Sequence, residues 1–299
     1  MNQFSESERR CQAIFESCGD VYHAYTSGKD MPIVFTSNED LVFAMNSIAF
    51  AAFLFKESIR IAAFAVMDNH LHFIIIGSQP DIEEFFRHLV RKLKRTIQTA
   101  GGMSLSLKVI KDLTSMRNNI VYTNRNGYVA NPHHTPFSYP WSTGRYYFND
   151  ITATTTYADI DFYQKRAMLR GRAAKFPEDW QVIGGYISPA SYCAVIFGMS
   201  LFRDAHHYFS LISKNIEAYS SIAVDIGDGE FLTDRELFSE ILRILKTKYA
   251  GAKLNSLSSA QKLDLARNLR YDFHSSNGQI RRVLGLRQYD IDQLFPNNI

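Results

Sequence analysis

Apolar and polar positions along the chain fall into two regimes: up to about Asn149, strand-like and helix-like stretches take turns, and beyond it the spacing is largely helical. Residues 1 to 19 read as a helical lead-in stopped at Gly19. Val21 to Ser27 alternates as a strand, with His23 and Tyr25 on one side and Tyr22 and Ala24 on the other. Asn38 is a plausible N-cap for a helix to about Lys56, with Leu41, Met45, Ile48, Ala52 and Phe55 on its apolar stripe. Two strands follow, Arg60 to Met67 and a second running through Phe73-Ile-Ile-Ile to Gly77, joined by the turn residues Asp68-Asn69. A helix opens at Asp81, with acids in its first turn and bases later, and stops at Gly101. A short strand at about Ser104 to Ile110 precedes a helix from Asp112 to about Asn126. The order is β-α-β-β-α-β with one helix added, an α+β pattern of the ferredoxin-like kind.

After that block, Ile151 to Tyr163 reads as a Thr- and Asp-rich connection, Gln164 to Ala174 as a basic helix, and residues 189 to 220 as one or two aromatic-rich helices. Thr233 caps a helix to about Lys248, and Ser258 begins another to about Phe273. Gln279 to Leu284, the Gly285-Leu286 turn and a last helix from Arg287 to Phe295 make a helix-turn-helix pattern with Ile280, Val283, Leu286, Ile291 and Leu294 inside. Arg287, Gln288 and Tyr289 then start the would-be recognition helix; a small helical packing module without DNA contact has the same pattern. The expected organisation is residues 1–150, a helical connecting region over 151–230, and an all-α C-terminal domain over 231–299.

Composition changes this picture little. The 299 residues carry a net charge of only +3, so nucleic-acid affinity must come from local patches. Three cysteines in no metal-ligand spacing, a polar N-terminus and apolar runs far shorter than the ~20 residues of a membrane span point to a cytoplasmic protein with no membrane partner. The basic positions Arg87, Arg91, Lys94 and Arg95 have no acid between them, and the last three share a helix face, suited to phosphate contact or simply to solvation. Arg125 and Arg145 are weaker phosphate candidates, and His133-His134 reads as a surface loop.

The candidate chemistry sits in Met67 to Gly77, MDNHLHFIIIG. His70 and His72 point to the same face of a strand while Leu71 points inward, so the pair is either an ordinary polar face or one side of a divalent-metal site at the exposed end of a sheet. On the added helix, Leu113, Met116 and Ile120 form a stripe, and Ser115, Asn119, Tyr122 and Asn126 fall opposite it. Tyr122 beside a metal-liganding Asn126 could attack a phosphodiester; alternatively both residues cap a surface helix before Gly127.

Three ordered blocks carry a resemblance. MDNHLHFIII resembles the M-P-N-H-x-H block of the HUH single-tyrosine transposases, VYTNRNGYV their YIxxNPV block, and FSYPWS their YPWSS block. The nearest subgroup is the REP-associated tyrosine transposases, matched over about residues 20 to 150. The resemblance implies an HUH nuclease domain in which His70 and His72 are the metal ligands, Tyr122 the nucleophile and Asn126 the residue completing a Mg²⁺ or Mn²⁺ site. It implies cutting and rejoining of single-stranded or hairpin DNA through a 5′-phosphotyrosyl link, with a homodimer allowed. Two departures stand out: Asp68 for proline changes the turn, and Gly127 for proline loosens the end of the tyrosine helix. The other function class is a domesticated, weakly or non-catalytic DNA-binding regulator that recognises structured single strands.

Overall fold

A computed structural model describes residues 5–28, 31–130, 134, 135, 137–151, 153, 155–214, 216–226, 228, 232–273, 275 and 277–295. The chain divides into two compact units, Met1–Gly127 with His134–Asn215, and Tyr128–His133 with Ile216–Ile299.

The first unit runs α1 (Glu6–Glu16), β1 (Val21–Thr26), α2 (Asn38–Leu54), β2 (Ile59–Val66), β3 (Leu71–Gly77), α3 (Gln79–Leu93), β4 (Leu105–Val109) and, as far as Gly127, α4 (Leu113–Ala130). The four strands form one antiparallel sheet in the order β2-β3-β1-β4, so the architecture is α+β. Strand pairing sets the two faces of the sheet. Tyr25 lies opposite His72 and Ala24 opposite Phe73, so side chains alternate across the pleat in register. Tyr22, Ala24, Leu71, Phe73 and Ile75 face one way and bury against Phe43, Met45 and Ile48 of α2 and Ile82, Phe85 and Leu89 of α3. His23, Tyr25 and His72 face the other way. One residue of slip would exchange these faces, so the apolar set fixes where the histidines point.

Helix α2 differs from the single stripe its sequence predicts. Its cap is Ser37, whose side chain accepts from Asp40 N, and it is buried nearly all round. The reason is a second apolar cluster on its far side: Ala49 packs with Tyr157, Met168, Phe176 and Ile187 from the segment that follows the first eight elements. That segment holds β5 (Thr155–Thr156), α5 (Phe162–Met168), β6 (Gln181–Ile183), β7 (Tyr186–Ile187), α6 (Val195–Ser200) and α7 (Ala205–Lys214), with β5, β6 and β7 forming a small antiparallel sheet. The buried Asn46 of α2 pins its hairpin, accepting from Ile187 N at 3.0 Å and donating to Gly185 O at 3.0 Å. Ser78, rather than Asp81, caps α3.

Within the second unit lie α8 (Ile216–Ile226), α9 (Asp234–Lys248), α10 (Ser259–Tyr271), α11 (Asn277–Leu284) and α12 (Gln288–Leu294). Thr233 and Ser258 cap α9 and α10 with reciprocal capping boxes. Gly285, at a φ of 63°, makes the turn between α11 and α12, where Ile280, Leu284 and Ile291 are buried. Val283, Leu286 and Leu294, also expected inside, are only half-buried. No helix of the described residues is long and apolar enough to cross a membrane.

Candidate metal and tyrosine site

His70 closes the β2–β3 turn, its carbonyl accepting from Met67 N at 2.9 Å, and His72 follows as the second residue of β3. Asp68 anchors this turn through its own carbonyl, which accepts from Val34 N and Phe35 N, both at 2.8 Å. The imidazoles of His70 and His72 lie 4.8 Å apart between centroids, nearly perpendicular, and a ring nitrogen of each comes within 4.8 Å of the other. The end of the sheet is less exposed than the sequence suggests: His70 is half-buried and His72 fully buried.

Amide partners orient these rings and set which nitrogen donates to them. The Asn69 side chain donates through Nδ2 to the carbonyls of Gly28 at 2.9 Å and Met31 at 3.0 Å, which turns its Oδ1 toward His70 Nδ1 at 2.7 Å. An amide oxygen only accepts, so His70 carries a proton on Nδ1, and in the neutral ring its lone pair lies on Nε2. A longer chain serves His72. Asn119 Nδ2 donates to Ser115 O at 2.8 Å, leaving Oδ1 to accept from His23 Nδ1 at 2.8 Å. His23 Nε2 is then the acceptor, and His72 Nδ1 donates to it at 3.1 Å. The lone pair of His72 falls on Nε2 as well. Two neighbouring imidazoles, each set by an amide to offer Nε2, form a donor set that suits a divalent ion, with the outer partners holding the ligands in place.

Helix α4 brings the tyrosine. Asn119 and Tyr122 are turned toward the histidine face of the sheet: the Tyr122 ring lies 6.0 Å from His72 and 6.2 Å from His23, between centroids. Although the apolar stripe of Leu113, Met116 and Ile120 does not need it, Tyr122 is fully buried. Asn126 stands one turn further along α4 and is also buried. The helix does not end at Gly127 but continues to Ala130. The glycine answers a contact instead: a Cβ there would lie 1.9 Å from Cδ1 of Tyr139. Gly28 is set in the same way, since a Cβ would lie 2.7 Å from His70 Nδ1.

The Tyr139–Thr143 stretch holds α4 and the sheet together. Tyr139 Oη donates to Val66 O at 2.7 Å; burial, aided by the charge of Asp68, pushes its phenol well above the ordinary tyrosine range, so it stays protonated. Thr143 Oγ1 donates to Asn124 Oδ1 at 2.7 Å and accepts from Phe64 N at 2.9 Å. Arg117 of α4 is clamped by Glu8, at 2.6 Å and 3.2 Å, and donates through Nε to Leu201 O at 2.6 Å.

His70, His72 and Tyr122 thus come together, and Asn126 stands one helical turn from Tyr122. The basic positions Arg87, Arg91, Lys94 and Arg95 lie on or beside α3, which packs on the opposite face of the sheet. Arg91, Lys94 and Arg95 are exposed, and Arg87 pairs with Glu84. Arg125 is fully buried and Arg145 is half-buried, donating to Tyr186 Oη at 3.3 Å; burial removes Arg125 from a surface contact. In the second unit Arg287 is exposed but paired with Asp290 at 3.0 Å, and Tyr289 is exposed; the Gln288 side chain lies outside what is described. His133 also lies outside the described residues, and His134 packs on Tyr139. In the sequence His23 has no assigned role, Asn69 reads only as a turn residue and Asn119 only as a polar position of the added helix. Parity on β1 placed His23 beside Tyr25, but only strand register shows that both meet His72.

Among solved structures, the chain is similar to a REP-associated tyrosine transposase bound to a REP hairpin, at 13% identity and a TM-score of 0.35, covering 62% of this chain and 100% of that one. No family model and no curated protein matches the chain. A likeness this distant assigns no residue a role.

Proposed function

We propose that this protein is an HUH-type, metal-dependent single-stranded DNA nuclease and strand transferase, with its chemistry in the first, ferredoxin-like unit. The observation that carries the reading is the cluster of His70, His72 and Tyr122, in which two amides direct both imidazole lone pairs through Nε2. His70, His72 and Asn126 would hold Mg²⁺ or Mn²⁺, which supplies Lewis acidity to a phosphodiester. Tyr122 is the nucleophile. Its Oη forms a bond to phosphorus as the bond to the 3′-oxygen breaks, and the proton lost by the phenol ends on that oxygen. The products are a 5′-phosphotyrosyl link and a free 3′-OH, and reversal with another 3′-OH rejoins the strand. Arg87, Arg91, Lys94, Arg95, Arg287, Gln288 and Tyr289 are the proposed DNA contacts.

One observation favours a second reading. Tyr122 is fully buried, so a phosphodiester reaches its oxygen only after the site opens. A DNA-binding regulator with little or no cleavage would need no such opening.

A covalent-adduct assay separates the two. Labelled hairpin-forming single-stranded DNA and Mn²⁺ are incubated with the protein and run on a denaturing gel. A metal-dependent protein–DNA band that disappears in Tyr122→Phe and His70→Ala supports the nuclease. Cleavage that persists in Tyr122→Phe without a band moves the nucleophile to water. Retarded DNA on a native gel with neither band nor cleavage favours the regulator.

A further inference from the structure

On the sheet face opposite Tyr122, the C-terminal end of α3 and the loop after α5 enclose a cavity of about 390 Å³. Its walls carry Lys92, Arg95, Arg170 and Arg172 over a floor that includes Phe43 and Phe50, and no Asp or Glu lines it among the described residues. Like charges crowded this closely repel one another, and a small cavity among them is a focus of positive potential.

Two of the cations are held in place. Lys92 is half-buried, donates to Leu169 O at 3.0 Å, and stands over Phe43 and Phe50 at 5.9 Å and 5.8 Å. Burial, with the neighbouring Arg95 adding to it, lowers its pKa from the ordinary lysine value. Arg170 lies over Phe43 at 4.9 Å and pairs with Asp40 at 3.0 Å, so one of the four charges is answered from outside the lining. Its backbone has a φ of 44°, a conformation that a non-glycine residue holds only when its surroundings impose it. Arg166 Nε donates to Gly171 O at 3.2 Å and fixes the same loop. Arg95 and Arg172 are exposed at the mouth. Beside it, along the same helix, Arg87, Arg91 and Lys94, together with the acidic Glu83, line a second cavity of about 410 Å³.

We propose that the cavity holds a phosphate group of a DNA single strand whose backbone continues along Arg91 and Lys94, a second, non-catalytic contact on the far side of the sheet from Tyr122. Arg95 and Arg172 grip the phosphate oxygens, Lys92 contributes charge from below, and the aromatic floor keeps the stems of these side chains in place. The choice of DNA as the source of the phosphate rests on the nuclease reading; the phosphate chemistry of the cavity does not.

The test is fluorescence anisotropy of a labelled single-stranded oligonucleotide with the full chain, wild type and Arg95→Ala/Arg172→Ala, across a salt series. With about 0.7 counterions released per phosphate contact on a single strand, losing this one phosphate in the double variant should lower the salt slope by roughly 0.7 and weaken binding about 5-fold near 0.1 M salt. Unchanged affinity and slope overturn the proposal. Titration with inorganic phosphate and a mononucleotide distinguishes the source: loss of either in the variant, with DNA binding intact, makes this a small-phosphate site and overturns the DNA assignment. Both substitutions are at exposed positions, and Arg172→Gln alone, expected to lower the slope in the same direction by less than about 0.7, serves if the pair does not fold. Adduct formation by wild-type protein scores the nuclease reading separately. An adduct with an unchanged salt slope would overturn this second contact and leave the nuclease standing.

Discussion

Asn69 offers the sharpest test of the metal site, because it is not itself a proposed ligand. Its Oδ1 accepts from His70 Nδ1 at 2.7 Å, while its Nδ2 donates to two carbonyls that fix which end faces the histidine. In Asn69→Ala the His70 ring loses the acceptor that keeps its proton on Nδ1, and the fraction of rings offering Nε2 falls. Loss of such an outer partner typically weakens metal affinity by 10- to 100-fold, or about 1.4–2.8 kcal/mol. Asn69→Asp separates this effect from general damage to the turn. It keeps an acceptor toward His70 but loses the two donations to Gly28 and Met31, each worth roughly 0.5–1.5 kcal/mol net. Mn²⁺ titration followed by electron paramagnetic resonance, with a denaturation curve for each protein, gives both quantities. The Ala variant should lose affinity and stability together, whereas the Asp variant should lose stability and bind Mn²⁺ at least as well as wild type. Wild-type affinity within twofold in Asn69→Ala, alongside loss of binding in His70→Ala, would refute the tautomer argument.

The remaining expectations concern the scaffold of the site. Gly127→Ala places a methyl group 1.9 Å from the Tyr139 ring, and overpacking of this kind costs about 1–3 kcal/mol, read as a lower denaturation midpoint with an unchanged slope. Glu8 has its carboxyl pKa lowered, chiefly by the hydrogen bond from Arg117. Its contribution is therefore complete above the unfolded carboxyl value near 4.5 and is lost as pH falls through the lower folded value. Glu8→Gln should flatten the acid limb of a stability-against-pH curve; an acid limb matching wild type would show that the Glu8–Arg117 pair does not anchor α4.

The strands and helices of the first unit were legible wherever period and caps agreed. Alternation around Leu71 placed His70 and His72 on one side of a hairpin, and the acid-to-base gradient of α3 marked that helix. What escaped depends on contacts far apart in sequence. His23 and Asn119 stand 96 positions apart, so nothing local marks them as partners. Helix α2 read as one-sided because the cluster on its far face comes from Tyr157 to Ile187. The strands β5, β6 and β7, of two or three residues each, are too short to show alternation. The burial of Tyr122 could not be read from a helical wheel, which ranks faces by polarity and leaves out what stands opposite them.

The Tyr139–Thr143 stretch has a consequence for how this protein meets other chains. β2 ends the sheet on one side, and an edge strand invites another strand to pair with it. Here that invitation is withdrawn over the last turns of β2: Val66 N donates to Trp141 O at 2.9 Å, Thr143 N donates to Phe64 O at 3.0 Å, and Ala65 bridges Ser142. The opposite edge, β4, is five residues long and has no further strand beside it among the described residues. Any growth of this sheet by strand addition is thereby steered away from the covered length of β2 and toward β4. A segment whose contacts position the tyrosine helix also protects the fold from sticky, non-native pairing.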